Sequence, residues 1–129
     1  MVQKMSVFID SNVIIKAFVD DKDNEKCRKV LYGDFITNTL CLVEAQYSIS
    51  IIKNDKVYAA DCIKSLFKSN GIIVQLDKNL LFESFKRIEK YNLNIFDLIN
   101  YTTALINTCS EIVSYDKDFD DLEIKRAEP

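Results

Sequence analysis

Short apolar runs of strand length alternate along this chain with longer stretches whose apolar residues recur at three- and four-residue spacing. The first run, Val7-Phe8-Ile9, ends in Asp10, and Val13-Ile14-Ile15 follows at once in a segment that reads as a helix from Ser11 to Phe18. An acidic turn, Asp20-Asp21-Lys22-Asp23, separates it from a second helix of about Asn24 to Tyr32, with Gly33 at the C′ position that glycine favours. Phe35-Ile36-Thr37 is a second strand. Asn38 and Thr39 offer caps for a helix from Leu40 to Lys53, whose expected inward face is Leu40, Val43, Tyr47 and Ile51. Glu44 falls on that stripe, where a carboxylate is costly without a partner. A helix from Val57 to Asn70 is expected to turn Ala60, Ile63, Leu66 and Phe67 inward and Lys64 and Lys68 outward. Ser69-Asn70-Gly71 stops it.

Ile72 to Leu76 is apolar and β-branched, a third strand. Asp77 caps the next helix, Asn79 to Tyr91. Asn92-Leu93-Asn94 is a break, and Asn94 caps a helix from Ile95 to about Asn107 with Asp97 in its first turn. An acid there also complements the helix dipole, so Asp97 alone says little. A fourth strand, Glu111 to Tyr115, ends at Asp116 as the first ends at Asp10. Lys117-Asp118-Phe119-Asp120-Asp121 is an acidic loop or one helical turn, and Leu122 to Ala127 reads as a final edge strand. Strands alternating with helices predict an α/β fold: a parallel sheet of four to five strands flanked by helices, in one domain over residues 1–129.

Composition narrows the chemistry. Only 2 glycines and 1 proline are present, so no glycine-rich loop can bring backbone amides onto a nucleotide's phosphates. There is no histidine, which removes imidazole ligands, a Ser-His-Asp triad and a histidine base. Cys27, Cys41, Cys62 and Cys109 lack zinc-site spacing and read as buried, reduced thiols in a cytoplasmic protein. Neither a signal peptide nor a membrane span is expected. A net charge of −3 argues against bulk attraction to nucleic acid and leaves room for a local basic rim, for which Lys53, Lys56, Lys64 and Lys68 are candidates. Lys86, Arg87 and Lys90 are further basic positions of the same kind.

Four carboxylates, Asp10, Glu44, Asp97 and Asp116, then fall where strand ends and flanking helices frame one crevice. Acids that share a pocket repel one another and need cations to stay ionised. Hard oxygen ligands without histidine or a cysteine set select Mg²⁺ or Mn²⁺.

Phe8-Ile9-Asp10-Ser11-Asn12, Glu44 on the next long helix, Phe96-Asp97 opening a late helix, and Ser114-x-Asp116-x-Asp118-Phe119 together resemble a PIN domain. The likeness is greatest to the small VapC-type toxin ribonucleases, and it covers nearly the whole chain. The resemblance implies a Rossmann-like sheet and cleavage of single-stranded RNA by one or two Mg²⁺ or Mn²⁺ ions bound by Asp10, Glu44, Asp97 and Asp116. It places Asp118 as a further or outer ligand, and Ser11, Asn12 and Ser114 as residues orienting the acids. It also implies a homodimer and a small antitoxin partner. Two rivals stand beside it. One is a non-catalytic PIN-like interaction module. The other is an Asp-phosphorylated receiver or haloacid-dehalogenase-like domain, although the latter needs Asp-x-Asp and Asn12 occupies the second position.

Overall fold

A computed structural model describes residues 6–129. Five strands, β1 (Ser6–Ile9), β2 (Ile36–Asn38), β3 (Ile72–Val74), β4 (Cys109–Val113) and β5 (Lys125–Ala127), form one sheet in the order β3-β2-β1-β4-β5. Every pairing is parallel. The helices are α1 (Ser11–Phe18), α2 (Asn24–Tyr32), α3 (Thr39–Lys53), α4 (Lys56–Leu66), α5 (Lys78–Phe85) and α6 (Ile95–Ile106). A single 3-10 turn covers Lys117–Phe119. This is the expected parallel α/β arrangement. Among the described residues no helix is long and apolar enough to cross a membrane. The four cysteines are free and buried, as expected.

Topology selects where a site can form. The chain builds outward from β1 to β2 and β3, then returns to the other side of β1 for β4 and β5. The sheet order therefore switches direction at β1, and crevices open beyond the strand ends at such a switch. Phe8, Ile9, Val13, Ile14, Leu98 and Ile112 are fully buried around this centre.

The helix faces differ from the expected ones. Val43, Tyr47 and Ile51 are 66%, 65% and 60% exposed, and α3 buries Cys41, Leu42, Ala45 and Ile49 instead. The helix is apolar on two sides; the buried side carries Cys41, Leu42, Ala45 and Ile49, and α3 packs against both α1 and α4. In α4 the helix stops at Leu66, Ala59, Cys62 and Ile63 face inward, and Phe67 is exposed.

Strand and helix ends also shift. β3 stops at Val74 because the Leu76 N–H donates to Thr39 Oγ1 at 2.9 Å rather than to a strand. α5 ends at Phe85, six residues early; 3-10-type bonds such as Ile88 N–H to Phe85 O tighten the chain beyond it. β4 starts and ends two residues earlier than expected, so Asp116 stands on the turn beyond it. Gly33 is extended, with φ −88°, and does not use the left-handed conformation that a C′ glycine supplies. Asn54 takes that conformation, with φ 50°, at the end of α3.

Candidate metal centre

Asp10 serves two roles that the sequence left open. It ends β1, with its N–H donating to Val113 O at 3.1 Å, and it caps α1 by accepting from Ser11 N–H at 2.7 Å. Only 4% of it is exposed. Its Oδ2 accepts from Ser114 Oγ at 2.7 Å and from Asn12 Nδ2 at 3.3 Å, and its Oδ1 from Asn100 Nδ2 at 3.4 Å. Burial pushes the Asp10 carboxyl up, the bonds from Ser114 and Ser11 pull it back, and the Asp116 charge adds to the rise.

The Ser114 hydroxyl organises the turn after β4. It donates its one proton to Asp10 and accepts from Asn12 Nδ2 at 3.1 Å and from the Asp116 N–H at 3.0 Å. Asn12 Oδ1 accepts from the Tyr115 N–H at 3.3 Å. Asp116 in turn caps the 3-10 turn, accepting from the Asp118 N–H at 2.9 Å. These bonds lock the Asp116 loop to the end of β1. Asn12 and Ser114 both bond Asp10 through their side chains, and Ser11 bonds it through its backbone N–H.

Asp97, Asp116 and Asp118 each present a carboxylate oxygen, all within 4.8 Å of one another. Asp97 accepts from its cap, Asn94 Nδ2, at 3.0 Å. Its pKa is pushed up to about 7, first by burial and then by the charges of Asp116, Asp10 and Asp118. Glu44, half-buried between the two apolar faces of α3, is also pushed up by burial and by Asp10. Its Oε1 is buried and finds no hydrogen-bond partner among the described residues. The charge of Asp10 raises both Glu44 and Asp97, while the group of carboxylate oxygens within 4.8 Å of one another is made by Asp97, Asp116 and Asp118 and does not include Asp10 or Glu44. The donor set fits a hard divalent cation: it is all carboxylate oxygen, crowded with like charge, and holds one buried oxygen lacking a donor.

The lysines are spread more widely. Lys53 closes α3, nine residues beyond Glu44, about 14 Å along the axis at 1.5 Å per residue. It pairs with Asp20 at 3.8 Å. Lys64 pairs with Asp61 at 3.4 Å and borders a groove with Thr39 and Val43. Lys56 and Lys68 are exposed.

Sequence reasoning overlooked Asn100, which is 1% exposed and touches Asp10. A signal existed: Asn100 stands three residues after Asp97 inside the apolar run of α6, hence on the same helix face.

Three solved structures share this architecture. The sarcin–ricin-loop-cleaving toxin VapC20 of Mycobacterium tuberculosis is 11% identical, with a TM-score of 0.79 over 96% of this chain and 100% of that one. A toxin–antitoxin complex from Klebsiella pneumoniae is 14% identical, with a TM-score of 0.75 over 96% and 98%. FitAcB from Neisseria gonorrhoeae is 15% identical, with a TM-score of 0.68 over 95% and 97%. At these identities the likeness establishes the fold. No curated protein matches by sequence. The PIN domain family model matches residues 7–125, a span that holds β2, β3, β4, all the helices and every acid of the candidate centre, and the chain therefore belongs to the PIN domain family.

Proposed function

We propose that this PIN domain is a divalent-metal-dependent endoribonuclease that cleaves single-stranded RNA, and that it is the toxin of a toxin–antitoxin pair. The observation that carries the chemistry is the convergence of Asp97, Asp116 and Asp118 within 4.8 Å, beside a buried Asp10 whose charge raises both Asp97 and Glu44. Such crowding is tolerated where a cation neutralises it. Asp10, Glu44, Asp97 and Asp116 would hold the ion, with Asp118, exposed on its turn, as an outer ligand. When bound, Mg²⁺ or Mn²⁺ supplies Lewis acidity toward a phosphodiester and acidifies a water. The protein's own part is to hold the acids: Ser114 and Asn12 fix Asp10 against the Asp116 loop, and the Ser11 N–H fixes the other oxygen of Asp10. With no histidine in the chain, proton transfer has no imidazole to use.

The toxin assignment draws on structural neighbours that are themselves a toxin and a toxin–antitoxin complex. A small antitoxin would lay an apolar segment into a groove such as the cavity of about 360 Å³ lined by Ala17, Phe18, Leu31 and Leu66. The exposed stripe of Val43, Tyr47 and Ile51 on α3 supports a homodimer. Exposed Lys56, Lys64 and Lys68 are the candidates for phosphate contact, and the buried free thiols fit a cytoplasmic setting.

An end-labelled single-stranded RNA tests this reading. Cleavage should vanish with chelator and return with Mg²⁺ or Mn²⁺. Cleavage that persists in excess chelator contradicts the metal assignment. Failure to cut any single-stranded RNA in either metal favours the non-catalytic module.

A further inference from the structure

Asn100 stands at the junction of three elements that carry acids. Its surroundings fix which way its amide faces. The Cys41 N–H donates to Asn38 Oδ1 at 2.9 Å, capping α3. That use of the oxygen turns Asn38 Nδ2 toward Asn100 Oδ1 at 2.9 Å and toward Thr103 Oγ1 at 3.0 Å. Asn100 Oδ1 is therefore an acceptor, and it also receives the Cys41 thiol at 3.4 Å. Its Nδ2 is left to face Asp10 Oδ1 at 3.4 Å. The reverse amide orientation would set nitrogen against nitrogen at Asn38 and oxygen against oxygen at Asp10.

The bonds thus run in one direction, from the backbone of α3 through two amides to Asp10. The last link donates to Asp10 Oδ1 and so fixes how that carboxylate is presented. The same links set spacing. Cys41 lies three residues before Glu44 on α3, and Asn100 three residues after Asp97 on α6. One amide therefore ties together β1, α3 and α6, which carry three of the four acids. Asp116 is held separately, by Ser114. In a satisfied buried network each member keeps the others in place, and deleting one leaves its partners unpaired.

We propose that Asn100 is a positioning residue of the metal centre. It holds Asp10 and sets the distances among the acids on β1, α3 and α6, so that affinity for a divalent cation depends on a side chain that does not bind it. The inference rests on the metal-dependent reading above.

Calorimetric titration with Mn²⁺ tests it. Asn100→Leu should weaken Mn²⁺ binding about tenfold or more, the loss typical of residues that orient ligands. Ser84→Ala removes a different buried hydrogen bond, to Leu80 O on α5, and should leave Mn²⁺ affinity unchanged even as it lowers thermal stability. If Asn100→Leu does not fold, Asn100→Ser, which is smaller and polar, replaces it. In metal-free wild type, the Asn100 side-chain amide should give a pair of NMR signals protected from solvent exchange. Unchanged Mn²⁺ affinity in a folded Asn100 variant, with wild type binding Mn²⁺, overturns this proposal alone, as does an Asn100 amide that exchanges freely. Wild-type protein that binds no Mn²⁺ overturns the metal reading and this proposal with it.

Discussion

Ser114 has one hydroxyl proton and donates it to Asp10, and that single choice orders the rest of the turn. Asp97 shows the opposite condition, an acid surrounded by like charge. Its folded-state pKa of about 7 lies above the ordinary 3.8, so the metal-free folded protein keeps a proton that the unfolded chain releases. The resulting stability is fully present below about pH 4 and is lost as pH rises through 7. Asp10 and Glu44, both raised, act with the same sign. Thermal melts of metal-free protein should therefore show Tm falling across that window, and Asp97→Asn should flatten the fall and raise Tm at pH 8. A second comparison separates the two acids of the last turn: Asp118→Asn should slow RNA cleavage less than Asp116→Asn, because Asp118 is exposed while Asp116 is built into the Ser114 network. At this scale local signals mark Asp10 and Asp116 at strand ends, whereas Glu44 inside α3 and Asp97 in a first helical turn stood out only through the family resemblance. Asn100 was not read, because a polar residue inside an apolar helix reveals its partner only when Asn38 and Asp10 arrive from distant parts of the chain.

Helix and strand existence was equally legible, but facing was not. Helix α3 has apolar residues on two sides, and periodicity alone cannot say which side meets α1. Packing against α1 and α4 decides it, a tertiary effect. The two glycines make the same point in measurable form. A Cβ on Gly71 would stand 2.2 Å from Cζ of the buried Phe35 ring, so Gly71→Ala must displace core. Urea unfolding should show a loss of about 1–3 kcal/mol for Gly71→Ala, as overpacking typically costs. Gly33 has extended backbone, and its nearest neighbour to an added Cβ, Val30 O, lies at 3.7 Å. Gly33→Ala should therefore leave stability unchanged or slightly raised. A marked loss there would mean that Gly33 uses the left-handed conformation that the sequence suggested.

Over the whole molecule, the reversal of strand order at β1 brings Asp10 and the Asp116 turn together although more than a hundred residues separate them. Alternation of strands and helices announced a parallel sheet; the order β3-β2-β1-β4-β5 emerges only from which strands pair. The outer face carries its own prediction. Val43, Tyr47 and Ile51 form an exposed apolar stripe of the kind that marks an interaction surface. Sedimentation at micromolar concentration should show a dimer, and Tyr47→Asp with Ile51→Asp should shift it to monomer; a wild-type monomer under those conditions contradicts this assignment. We propose that the acids at the β1–β4 switch perform metal-dependent RNA cleavage. Its most direct measurement is the cleavage rate of single-stranded RNA in Mg²⁺ or Mn²⁺ by Asp10→Asn and Asp116→Asn, each checked for folding by circular dichroism. These substitutions remove charge and keep shape, so the proteins should fold and cleavage should be abolished. Folded variants that cut at the wild-type rate would contradict the proposal.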